Sequence, residues 1–171
     1  MTGPSGMSSP QGVSKSDTEH LARAVTLATE NVAAGGGPFG ALIVAADGTV
    51  IGKGQNRVTR DLDPTAHAEV MAIRAACQTI GDFSLAGATL YTSCEPCPLC
   101  LSAALWSRLD RVVFTANRHD AAEGGFDDSA FYAMFEQPSS EWQHPSVDEV
   151  RTEDAVAPFD AWRANEARTD Y

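Results

Sequence analysis

The stretch FGALIVAADGTVIGKGQN, Phe39 to Asn56, decides the architecture. Its two β-prone runs, Phe39 to Ala45 and Thr49 to Gly54, flank Asp47-Gly48, a dipeptide that suits the positive φ angles of a tight hairpin. Helical patterns stand on both sides. Upstream, Leu21, Ala24, Val25, Ala28 and Val32 recur at helical spacing, Ser16 and Glu19 have the spacing of a capping box, and the glycines at 35–37 end the helix. Downstream, a polar loop from Asn56 to Pro64 leads to a helix starting at Thr65, with Val70, Ile73, Ala76 and Cys77 on one stripe until Gly81. Ala88 to Ser93 reads as a third strand, Leu101 to Leu109 as a helix and Arg111 to Thr115 as a fourth strand. The alternation of helix, hairpin, helix, strand, helix and strand predicts an α/β sandwich around a mixed sheet.

The pattern is weaker beyond Ala116. A short helical stretch, a double-glycine loop and a helix from Asp128 to Glu136 are expected, followed by a polar linker with Ser146 to Arg151 as a candidate fifth strand. Phe159 and Trp162 then share a face of a final helix. These boundaries divide the 171 residues into a disordered N-terminal tail (1–16), a core (17–137), and a linker with a closing C-terminal helix (138–171).

Composition narrows the function. Charged residues make up 20% and apolar residues 43%, and no apolar run reaches the roughly 20 residues of a membrane span, so a soluble, non-membrane protein is expected. The start lacks the charged and apolar segments of a secretory signal, which predicts a cytoplasmic location. The net charge of −11, with its 12 basic residues scattered, argues against a nucleic-acid partner. Four cysteines in such a chain favour metal binding or buried thiols over a disulfide framework.

Two short motifs carry the chemistry. His67-Ala68-Glu69 opens one helix, and Pro96-Cys97-Pro98-Leu99-Cys100 opens the next. A Cys-x-x-Cys at a helix N-terminus turns both sulfurs toward one ion, while the helix dipole favours their thiolate forms. His67, Cys97 and Cys100 make three ligands for one Zn²⁺ and leave the fourth tetrahedral position to water, as in catalytic rather than structural zinc sites. Glu69, two residues past His67, stands beside the ion as a general acid and base. His-x-Glu followed by Pro-Cys-x-x-Cys is a signature of zinc deaminases. Taken singly, either half has a plainer interpretation: a redox dithiol, or a histidine satisfied in the core. Cys77 and Cys94 are expected to be small buried thiols.

The chain resembles the cytidine-deaminase-like superfamily, and within it the bacterial guanine deaminases, on the strings GGPFGA, GQN, DPTAHAEV, LYTSCEPCPLCL, AAEGGFDDS and PF-AWR. The resemblance covers the chain from about residue 17 onward. It implies a three-layer α/β/α fold and a zinc-dependent hydrolysis of guanine to xanthine and ammonia in purine salvage or breakdown. It assigns the zinc to His67, Cys97 and Cys100, the proton transfers to Glu69, and the amino edge of guanine to Asp128. Asn56, Phe39 and Ala68 are then substrate contacts. Tyr171 closes the pocket from the tail of a homodimer partner through a domain swap. The physical argument for Asp128 is that guanine's N1–H and C2-NH₂ form a donor edge, which a carboxylate accepts. One of Asp127 and Asp128 is expected to cap the following helix. Guanosine, ammeline and cytosine are the rival substrates, with transfer-RNA adenosine further off. A zinc-stabilised interaction domain is the non-enzymatic rival.

Overall fold

The computed structural model describes residues 14–171, so most of the predicted N-terminal tail lies outside the described residues. The chain divides into two compact units, one ending at Asp128 and the other spanning Ser129–Tyr171.

The first unit is built on a four-stranded mixed sheet. Its strands are β1 (Gly40–Val44), β2 (Val50–Gln55), β3 (Thr89–Cys94) and β4 (Arg111–Ala116), in the order β2-β1-β3-β4. The Asp47-Gly48 turn joins β1 and β2 as an antiparallel hairpin: Gly48 takes a φ of 87°, and the Thr49 N–H donates to Asp47 Oδ1 at 2.8 Å. β3 pairs antiparallel with β1 and parallel with β4, the link between β3 and β4 being a helix crossover.

Strand alternation builds a separate core on each face. Ala41 and Ile43 of β1 point to one side with Leu90, packing against Ala68, Ala72, Ile73 and Ala76 of α3 (Ala68–Ile80). Leu42 and Val44 point to the other with Tyr91, where Leu21 and Leu27 of α1 (Lys15–Ala33) cover them. Glycines let the helices lie on the strand backbones. A Cβ at Gly54 would come within 2.0 Å of the Ala68 carbonyl, and one at Gly40 within 2.4 Å of the Ala24 carbonyl. The expected layered α/β architecture with a mixed sheet is therefore present.

Local details depart from the sequence pattern. The capping box of α1 uses Ser14 and Asp17 rather than Ser16 and Glu19, because the helix begins one residue before Ser16 and Asp17 is the acid that reaches back to the Ser14 N–H, at 2.7 Å. The polar loop after β2 contains a short helix, α2 (Val58–Asp61). Cys77 is only half-buried, its thiol donating to the Phe83 carbonyl at 3.8 Å, because the stripe it shares meets the edge of the core. Cys94 is buried as expected.

After the crossover helix α4 (Pro98–Trp106) and β4 comes α5 (Arg118–Glu123), capped by Asn117. The second unit holds α6 (Ser129–Phe135) and α7 (Ala157–Ala164). In it, the Trp142 indole N–H donates to the Met134 carbonyl at 2.9 Å and its ring meets Phe135 edge-on. No strand forms over residues 146–151: Val150 there is exposed, so no apolar face is present to dock on a sheet.

Candidate metal centre and active site

The site forms where two helices begin. His67 is the N-cap of α3 and Cys97 the N-cap of α4, both in extended conformation, and neither side chain caps its own helix. Positions that Ser, Thr or Asp usually fill to bind backbone N–H groups hold metal-type donors instead. Pro98 at the first position of α4 fixes the turn that aims Cys97 and, one turn on, Cys100 to the same side.

The donors are assembled at ligand spacing. His67 Nδ1 lies 3.5 Å from Cys97 Sγ and 3.4 Å from Cys100 Sγ, and the two sulfurs are 3.6 Å apart. Tetrahedral zinc with its usual Zn–N and Zn–S bonds needs edges of about 3.6 Å between nitrogen and sulfur and about 3.8 Å between sulfurs. The three residues fit the ion in donor type and in spacing. The Cys97 thiol is lowered to about 4, first by its hydrogen bond with Cys100 and then by the neighbouring imidazole. His67 is raised by its hydrogen bond with Cys97, and Cys100 is pushed up by its contact with Cys97 and by burial. Zinc binds cysteine as thiolate, so an ion held here would displace the thiol protons.

Glu69 is 4% exposed. Its carboxylate accepts a long hydrogen bond from Thr92 Oγ1, at 3.3 Å, and one from the Cys100 thiol, at 3.4 Å. Burial raises its pKa, and these weak partners do not offset that. Ala68, between ligand and acid, buries its methyl in the core, so only its main chain could face a ligand.

The remaining predicted residues are distributed as follows. Asn56, just past β2, is buried, and its Oδ1 accepts the Val58 N–H at 3.2 Å. Phe39, just before β1, is half-buried and met edge-on by Phe126 at 5.0 Å between ring centres. Asp128 is half-buried while Asp127 is exposed. Burial and then the Cys97 charge raise the Asp128 pKa. Tyr171 lies in the second unit, where its ring packs edge-on against Trp162 at 6.1 Å.

Motif reading missed Thr92, which shares no pattern with the ligands and reaches Glu69 only through the register of β3. It also missed Glu95, although this acid stands inside the Cys-Glu-Pro-Cys string. Glu95 accepts from the backbone N–H of Arg118 at 3.0 Å and pairs with its guanidinium, tying the α4 turn to the start of α5.

Residues 14–116 match the cytidine and deoxycytidylate deaminase zinc-binding region. The chain belongs to that family. It is 52% identical to the guanine deaminase of Bacillus subtilis over 152 residues, covering 88% of this chain and 96% of that one. The crystal structure of the guanine deaminase from Bacillus subtilis superposes with a TM-score of 0.85 at 50% identity, over 90% of this chain and 98% of that chain. A transfer-RNA-specific adenosine deaminase of Haemophilus influenzae is 38% identical over 67% of this chain and 69% of its own. The chain is therefore a zinc-dependent deaminase, with His67, Cys97 and Cys100 as the candidate ligands. No helix among the described residues is long and apolar enough to cross a membrane.

Proposed function

We propose that the protein hydrolyses guanine to xanthine and ammonia. The observation that carries the reaction class is a buried carboxylate, Glu69, hydrogen-bonded at 3.4 Å to one of three donors set at zinc spacing. The near-complete match to the Bacillus subtilis guanine deaminase, in sequence and in structure, and the half-buried carboxyl of Asp128 support the substrate.

Zinc held by His67, Cys97 and Cys100 would lower the pKa of water at its open position and polarise the substrate. Glu69 takes a proton from the attacking water and delivers it to N3 as the water oxygen bonds to C2. Glu69 then carries the proton of the new C2–OH to the C2 amino group, so that the C2–N bond breaks, ammonia leaves and the C2 carbonyl of xanthine forms. Thr92 orients the Glu69 carboxylate from the floor of the site. Asp128 accepts from the N1–H and C2-NH₂ edge, which adenine lacks. With Asn56 Oδ1 engaged by the Val58 N–H, the Asn56 Nδ2 group is the donor left for an acceptor on the purine, and the Phe39 ring stacks on its face. The Ala68 main chain borders the same space.

A homodimer is the proposed assembly. α4 is apolar around its circumference yet leaves Leu101, Leu105 and Trp106 exposed, as an interface helix does. Tyr171 would reach a partner's pocket in such a dimer through a swapped tail. Two cysteines set for zinc and two held as thiols suit a reducing cytoplasm.

Ammonia release from guanine, guanosine, ammeline, cytosine and a transfer-RNA adenosine stem-loop tests the reading directly. Guanine is expected to turn over fastest; guanosine turning over in place of guanine would overturn it, and no release from any substrate by zinc-loaded protein would restore a purely structural role for the metal.

A further inference from the structure

A buried amide at the end of α1 holds together the two segments that carry Phe39 and Asn56. Asn31 is 0% exposed, and its Nδ2 donates both hydrogens, to the Gly37 carbonyl at 2.8 Å and to the Asn56 carbonyl at 2.8 Å. Its Oδ1 accepts from the Arg60 guanidinium, which also reaches the Asn56 carbonyl at 3.5 Å. The Asn56 N–H in turn donates to the Phe39 carbonyl at 3.1 Å. One side chain on a helix thus bridges the turn before β1 and the exit of β2.

The glycines at 36 and 37 make room for this clamp. A Cβ at Gly36 would lie 2.4 Å from Asn31 Nδ2, and one at Gly37 would lie 3.1 Å from Asn56 Oδ1. Only an amide meets the geometry: two N–H groups diverging from one nitrogen serve two carbonyls, while the oxygen faces the opposite way to take the arginine. Aspartate has no donor and serine has one.

We infer that Asn31 is a positioning residue for substrate recognition, setting the Asn56 amide and the Phe39 ring at the angle the purine needs. The inference rests on the reading of Asn56 and Phe39 as purine contacts. Asn31 touches neither the metal donors nor Glu69 in any hydrogen bond, so its loss acts on substrate binding before it acts on the chemical step.

The test uses full-length, zinc-loaded protein and the variants Asn31→Ala, Asn31→Asp, Gly36→Ala, Asn56→Ala, and the doubles with Asn56→Ala. Gly36→Ala matters because it crowds the Asn31 amide without removing it, and Gly36 has no positive φ to strain. Asn31→Ala and Gly36→Ala are each expected to raise KM for guanine about tenfold with a smaller change in kcat and unchanged zinc content, and to act less than about twofold once Asn56 is alanine. A KM within about twofold of wild type in folded variants, or effects that multiply with Asn56→Ala, would overturn the inference while leaving guanine as substrate. An Asn56→Ala variant with normal KM, or wild-type protein inert toward guanine, would overturn the inference together with the reading beneath it.

Discussion

Two buried carboxylates face opposite sides of the same strand and have opposite character. Asp17, 1% exposed in the first turn of α1, accepts hydrogen bonds from the Tyr91 hydroxyl at 2.6 Å, from the Ser14 N–H at 2.7 Å, and from both terminal nitrogens of Arg111 at 2.7 and 3.1 Å. The guanidinium, above all, holds its carboxyl well below the usual range, and burial together with Asp17 pushes the Tyr91 hydroxyl up to about 12. Glu69, as deeply buried, has the Thr92 hydroxyl and the Cys100 thiol at longer range, and its pKa moves up. Tyr91 and Thr92 are neighbours on β3, and strand alternation sends one to each acid. Burial alone therefore does not decide what a carboxylate does. Four strong donors make Asp17 a fixed anion that joins α1 to the sheet; two weak ones leave the pKa of Glu69 raised, which suits the proton transfers proposed for it.

The largest expected effect follows from this contrast. Glu69→Gln should retain zinc and melting temperature while losing about 10³-fold or more of the deamination rate. A near-normal rate would break the comparison from the catalytic side. Asp17→Asn should do the reverse, costing about 2–4 kcal/mol in urea unfolding because it strands a half-buried guanidinium, with the activity of the folded enzyme unchanged. Lost kcat without lost stability would break it from the structural side.

Glycine substitutions sharpen the difference between the two faces. Gly54→Ala and Gly40→Ala both force a helix from its strand, by α3 and by α1 respectively, and each is expected to cost about 1–3 kcal/mol. Only Gly54→Ala should also weaken zinc in a chelator competition, since α3 carries His67. The smallest signal is in pH. A carboxyl with a depressed folded pKa contributes stability above its unfolded value of about 4 and loses it as pH falls through the folded value. Below about pH 4, the unfolding free energy of the wild type from urea titrations should therefore fall more steeply than that of Asp17→Asn, by up to about 1.4 kcal/mol per pH unit. Parallel slopes would remove Asp17 as the source.

The metal donors were legible because each half of the centre is local. Cys97 and Cys100 are one helical turn apart, and His67 and Glu69 flank one residue, so short spacing alone sets their mutual geometry. The hairpin was legible for the same reason, Asp47-Gly48 being a turn whatever surrounds it. Asp17 escaped because Ser16 and Glu19 offer a capping box of equal quality two residues along, and only Arg111 and Tyr91, distant in sequence, favour the Ser14 box. The strand expected over residues 146–151 did not form because the segment has no apolar face to bury, Val150 being exposed.

By itself the sequence determined the donors, the acid beside them and the order of helices and strands, since all of these are properties of a few neighbouring residues. The tertiary structure decided which groups meet across the fold: His67 with Cys97, Glu69 with Thr92, Asp17 with Arg111, and Asn31 with the Gly37 and Asn56 carbonyls. Such pairs depend on strand register and on how closely a helix can settle on a glycine, and both are set only when the whole sheet has packed.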